Sequence, residues 1–148
     1  MSIQSNRPQS LEEVVSAAMS GTDIDAALRE FLDAFYMTVD PTRQAEMLAL
    51  EPPHIESTKD AYLAAVAEHL SLLYTLPVPD WVKKPDRFLH EPFFPCGLES
   101  LKAMLLIESP ASFRRRMIFV GSNPLYRPRR DVRSYSPAAS DRLGTTYS

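Results

Sequence analysis

The sequence predicts an all-α fold: a compact bundle of about five helices with a proline- and aromatic-rich strap and a flexible basic C-terminal tail. Three observations predict it. Apolar residues recur every three or four positions through most of the first 75 residues. The segments carrying this period open with residues that cap helices. A chain of 148 residues with 45% hydrophobic side chains can bury one core, which fits a single domain. Residues 1–121 are read as that domain and 122–148 as the tail.

The first helix is announced by Ser10-Leu-Glu-Glu13, in capping-box spacing. The serine hydroxyl accepts from the Glu13 N–H while that carboxylate reaches back. Leu11, Val14, Val15 and Ala18 form its apolar stripe, and Gly21 is the expected stop, because glycine adopts the left-handed conformation that ends helices. Thr22-Asp-Ile-Asp25 repeats the signal; Ile24, Leu28, Phe31 and Phe35 carry a second stripe to about Thr38. Asp25, Arg29 and Asp33 are expected as an i,i+4 ladder on its outer face.

Asp40-Pro41 starts a third helix, with proline at the first position where its missing N–H costs nothing, and Pro52-Pro53 ends it. Ser57-Thr-Lys-Asp60 opens the clearest helix. Tyr62, Leu63, Val66, Leu70, Leu73 and Tyr74 give a broad apolar face, and Asp60, Glu68, Ser71 and Thr75 are expected opposite it.

From Leu76 to Cys96 five prolines remove backbone donors and restrict the residues before them, so no long regular element is expected. Trp81, Phe88, Leu89, Phe93 and Phe94 are too apolar for a free linker, which predicts an ordered strap packed on the helices. Leu98–Ile107 is read as a buried helix. Ser109-Pro110 then reads as an N-cap and first helical residue. Ala111–Val120 is read as helix, with a short strand at Met117–Val120 as the alternative.

The net charge of −3 conceals an asymmetry: residues 1–112 carry −9, and residues 113–148 carry +6. Such a basic end can attract an acidic surface or phosphates, or fold back on its own acidic body. One cysteine, Cys96, excludes an intramolecular disulfide and a thiolate zinc cluster. The N-terminus lacks the apolar run of a signal peptide, and no apolar run approaches the ~20 residues that span a bilayer. The expected compartment is the cytoplasm, with no membrane contact.

The expected chemistry is binding without catalysis, metal or cofactor. His54, His69 and His90 fall in no metal-ligand spacing, and His69 is read as a packing residue. Cys96 beside a histidine is a weak nucleophile pattern, and lone cysteines mostly act as small buried hydrophobes. Four glycines provide no phosphate loop.

Arg114, Arg115 and Arg116 are the most distinctive feature. Three consecutive guanidiniums spread around a helix, so at least one must meet solvent, a carboxylate or a phosphate. Either the chain's own carboxylates pair with them or they form a partner-binding patch. Arg127, Arg129, Arg130 and Arg133, interleaved with Tyr126 and Tyr135, extend the basic region toward an acidic surface or single-stranded nucleic acid.

Trp81-Val-Lys-Lys-Pro85-Asp-Arg-Phe88-Leu89, Glu91-Pro-Phe-Phe-Pro95 and Glu108-Ser-Pro110-Ala-Ser-Phe113-Arg-Arg-Arg116-Met-Ile118-Phe119-Val120 together resemble a family of short, poorly characterised bacterial proteins. Members are encoded beside nucleotidyltransferase-fold proteins in pairs that look like toxin–antitoxin systems. The resemblance covers about 40 residues; the family pattern has asparagine where this chain has Met117, and it does not extend past Val120. It implies an antitoxin-like or accessory protein that binds a linked protein partner. Arg114, Arg115 and Arg116 would then meet the partner, with Trp81, Phe88 and Phe93 as apolar anchors, and replacing the triplet by alanine is expected to weaken binding without unfolding the chain. The alternative is a small nucleic-acid-binding or regulatory module using the arginine-rich end.

Overall fold

Short-range signals fix the ends of the helices, and the computed structural model describes residues 7–95 and 108–127. The expectations for Leu98–Ile107, Cys96, Arg129, Arg130, Arg133 and Tyr135 lie outside those residues. The fold is all-α. Helix α1 is Leu11–Met19, α2 Ile24–Met37, α3 Pro41–Ala49, α4 Ser57–Leu73 and α5 the single turn Ala111–Arg114. Two 3-10 turns, Asp80–Lys83 and Pro85–Arg87, lie in the strap. Among the described residues the only sheet-like pairing is one isolated parallel bridge between Phe93 and Ile118.

Caps explain the starts. The Ser10 hydroxyl accepts from the Glu13 N–H at 3.1 Å, and the Glu13 carboxylate accepts from the N–H of Gln9, one residue before the cap, at 2.7 Å. In α2 the cap is Asp23, which accepts from the Ala26 N–H at 3.0 Å, so Thr22 stands outside the helix. Asp40 caps α3 with Pro41 at its first position. At α4, Ser57 is already helical; Asp60 closes the entry by accepting from the Ile55 N–H at 2.8 Å.

Three helices end in one motif. After α1, Gly21 has φ +112° while Thr22 donates to the Ala17 carbonyl at 3.0 Å. After α4, Thr75 has φ +57° and Leu76 donates to Ser71 at 2.7 Å; after α5, Met117 has φ +63° and Ile118 donates to Phe113 at 2.9 Å. Each left-handed residue lets the chain satisfy carbonyls that the helix leaves open. This turn stops α5 and corrects the reading of Ala111–Val120 as helix. Met117 reverses the chain, and Ile118 joins the strap instead: Phe93 donates to the Met117 carbonyl and Phe119 to the Phe93 carbonyl, both at 2.9 Å. Ser109 likewise is no N-cap; its hydroxyl bonds the N–H and the carbonyl of Val120, each at 2.9 Å.

Helix α4 is the axis of the fold. It packs against α3, both 3-10 turns and α5, and its Tyr74 cap stands edge-on to Phe35 of α2 at 5.2 Å. Elements on several sides leave no solvent face along its middle. Ala61, Leu63, Ala64, Ala65, Val66, Ala67 and Leu70 are buried, and so are Asp60, Glu68 and Ser71. The expected polar outer face therefore does not exist there, because a single stripe describes a surface helix and α4 is central. Leu73, expected in the core, is exposed.

The chain beyond Gly121 stays on the body as far as Arg127, which corrects the domain limit drawn at 121. Leu125 is buried, and its carbonyl accepts from Tyr36 Oη at 2.8 Å.

Candidate functional site

Two buried arginines fasten the strap and the C-terminal segment to α4. Arg87, 0% exposed, follows the second 3-10 turn's proline and reaches under the strap. It donates to Glu51 at 2.9 Å, to the Pro52 carbonyl at 2.7 Å and to the Asp60 carbonyl at 3.2 Å. Its guanidinium lies 4.9 Å from the Trp81 ring centroid, a cation–π arrangement. Lys84 adds a second contact to Glu51 at 2.8 Å and is the largest influence holding that carboxyl below its usual pKa.

Arg116 is 1% exposed. It pairs with Glu68, donates to the Ser112 carbonyl at 2.8 Å and to the Val82 carbonyl at 2.6 Å, and lies 4.4 Å from the Phe88 ring centroid. Arg115 meets the other Glu68 oxygen at 2.8 Å from a half-exposed side chain, and Arg114 donates to the Ser109 carbonyl at 2.6 Å. The triplet is thus divided. Arg116 is internal, Arg115 spans inside and outside, and Arg114 sits on the surface engaged with its own backbone. Removing Arg116 would strand a buried carboxylate, so the triple replacement cannot leave the fold untouched.

The aromatic anchors divide in the same way. Trp81 is buried, with its indole N–H donating to the Leu48 carbonyl at 3.0 Å, and so is not an anchor for a partner. Phe88 is partly covered by Arg116. Phe93 is half-buried and lines a cleft. Sequence reasoning assigned Glu68 and Asp60 to solvent and passed over Arg87; the available signal was a charged residue set among Trp81, Val82, Phe88 and Leu89.

That cleft, about 320 Å³, opens between α2, the start of α4, the strap and the C-terminal segment. Leu28, Leu32 and Leu125 are its buried apolar lining, and Tyr62, Phe93 and Tyr126 its aromatic walls. Tyr126 is 63% exposed. Arg29, Lys59 and Arg127 line it with Asp25. Arg127 grips Asp33 with a two-pronged contact, Nε at 2.9 Å and Nη2 at 3.2 Å, so the predicted basic contact is spent on the acidic body. Asp33 consequently pairs with Arg127 and not with Arg29, so the expected ladder of Asp25, Arg29 and Asp33 is corrected. Arg29 and Lys59, by contrast, have no carboxylate partner among the described residues. A second, more open groove of about 660 Å³ runs between α3 and the first 3-10 turn; its Glu51 is neutralised by Lys84 and Arg87.

The histidines do not converge. His69 packs edge-on to Phe113 at 5.7 Å, and burial pushes its pKa down against the pull of Glu68. His54 contacts Asp86 at 3.1 Å, and His90 is exposed. Among the described residues no group of His, Cys, Asp and Glu could hold a metal ion, and no helix is long and apolar enough to cross a membrane. No protein-family model, curated protein or solved structure matches this chain.

Proposed function

We propose that the chain is a non-enzymatic, antitoxin-like accessory protein that binds a linked protein partner; the resemblance implies a nucleotidyltransferase-like toxin. The observation that carries this reading is the cleft between α2 and α4, where an apolar floor adjoins two cations that have no carboxylate partner among the described residues. Buried apolar side chains supply most of the free energy of a protein interface, and charges around them set approach and register. Phe93 and Arg127, both expected from the sequence to meet a partner, line this cleft. Trp81, Phe88 and Arg116 serve binding indirectly, by holding the strap and the C-terminal segment in place on α3 and α4.

The reading is tested by producing the chain together with the protein encoded beside it. Stoichiometric co-purification is expected, with growth arrest when the neighbour is made alone and relief when both are made. Separate elution of the two proteins and no arrest would contradict it. Salt-sensitive binding to RNA or DNA by the purified chain, with no protein partner, would favour the nucleic-acid alternative.

A further inference from the structure

Resting on that reading, we infer that the cleft between α2 and α4 receives a short acidic segment of the partner that inserts one large aromatic side chain. The floor decides the inserted group. Leu28, Leu32 and Leu125 are 8%, 4% and 4% exposed and offer an apolar surface without hydrogen-bonding groups. A nucleobase pressed onto it would leave several polar edge groups unpaired, whereas an aromatic side chain carries at most one. A volume of about 320 Å³ holds one such side chain with adjoining backbone. Tyr62, Phe93 and Tyr126 line the same cleft and supply aromatic side chains on which it can pack.

The rim decides what flanks it. Arg127 is neutralised by Asp33, but among the described residues Arg29 and Lys59 have no carboxylate partner, and Asp25 is the one carboxylate in the described lining. Carboxylates on either side of the inserted ring would pair with these two cations, which lie on different helices. Two contacts on two elements fix the direction of the segment as well as its sign.

The probe is the pentapeptide Asp-Asp-Trp-Asp-Asp, titrated into the full-length ¹⁵N-labelled chain. Amide shifts at Arg29, Lys59, Tyr62 and Tyr126 are expected on saturation. Replacing the tryptophan by alanine should weaken binding about tenfold or more, as should Arg29→Glu/Lys59→Glu in a chain whose melting temperature is unchanged. Equal affinity for the alanine peptide, tighter binding of Lys-Lys-Trp-Lys-Lys, or tighter binding of an oligothymidylate at the same amides would each overturn the inference. A neighbour protein that co-purifies equally with Arg29→Glu/Lys59→Glu also overturns it while leaving the proposed function standing. Failure of any neighbour to co-purify, with the peptide still seated in the cleft, would remove the function and keep the site's chemistry.

Discussion

Arg116, just past α5, and Glu68, in the middle of α4, form a buried ion pair across 48 positions of sequence. It joins the C-terminal segment to the central helix, and through Val82 it also holds the strap. The carboxylate has a second cation in Arg115. A motif that reads in sequence as a basic surface patch is therefore divided: Arg116 acts inside the protein, while Arg114 and Arg115 stay at the surface.

Among the described residues, two carry side chains where the backbone is left-handed. Thr75 and Met117, at φ +57° and +63°, hold the position that Gly21 holds after α1. Thr75→Gly and Met117→Asn should each stabilise the chain by about 1 kcal/mol, since glycine and asparagine tolerate that conformation. Chemical denaturation measures it; a loss of stability in both would show that side-chain packing outweighs the backbone.

His69 makes stability depend on mild acid. Burial lowers its pKa in the folded chain from an ordinary 6.5, so the unfolded chain takes up a proton first. Its contribution is complete above about pH 6.5 and falls as pH drops from there to the lowered folded value, below which it is constant. The melting temperature should fall less between pH 7.5 and 5.5 in His69→Gln than in the parent. Identical slopes would contradict the assignment.

Glu51 acts at lower pH. Contacts from Lys84, then Arg87, hold its folded pKa below 4.5 against desolvation, so its contribution is present above 4.5 and lost as pH falls through the lowered value. Lys84→Met removes the largest influence. It should narrow the stability difference between pH 6 and pH 3, read by denaturant titration at each pH; an unchanged difference would show that Arg87 alone holds the carboxylate.

Local rules recovered the caps at Ser10 and Asp40, the stop at Gly21 and the ordered strap, because each is decided within a few residues. Thr75 and Met117 make the same stop without its signal: neither favours a left-handed backbone, and tertiary contacts of Leu76 and Ile118 impose it. Asp60 and Glu68 were misplaced for a related reason. Their partners, Arg87 and Arg116, lie 27 and 48 positions away, and only a central helix gives them a buried setting. The cleft was half legible. Phe93 and Arg127 stood out by residue type, but Leu28, Tyr62 and Leu125 meet only once the C-terminal segment folds onto α2.

The most direct test compares unfolding of Arg116→Ala and Arg115→Ala in denaturant. Arg116→Ala leaves Glu68 buried with one half-exposed partner and should lose about 3 kcal/mol. Arg115→Ala removes the half-exposed partner alone and should lose under about 1 kcal/mol. That split would place Arg116 in the fold and Arg115 at its surface. Equal, small losses would contradict it and return Arg116 to the surface.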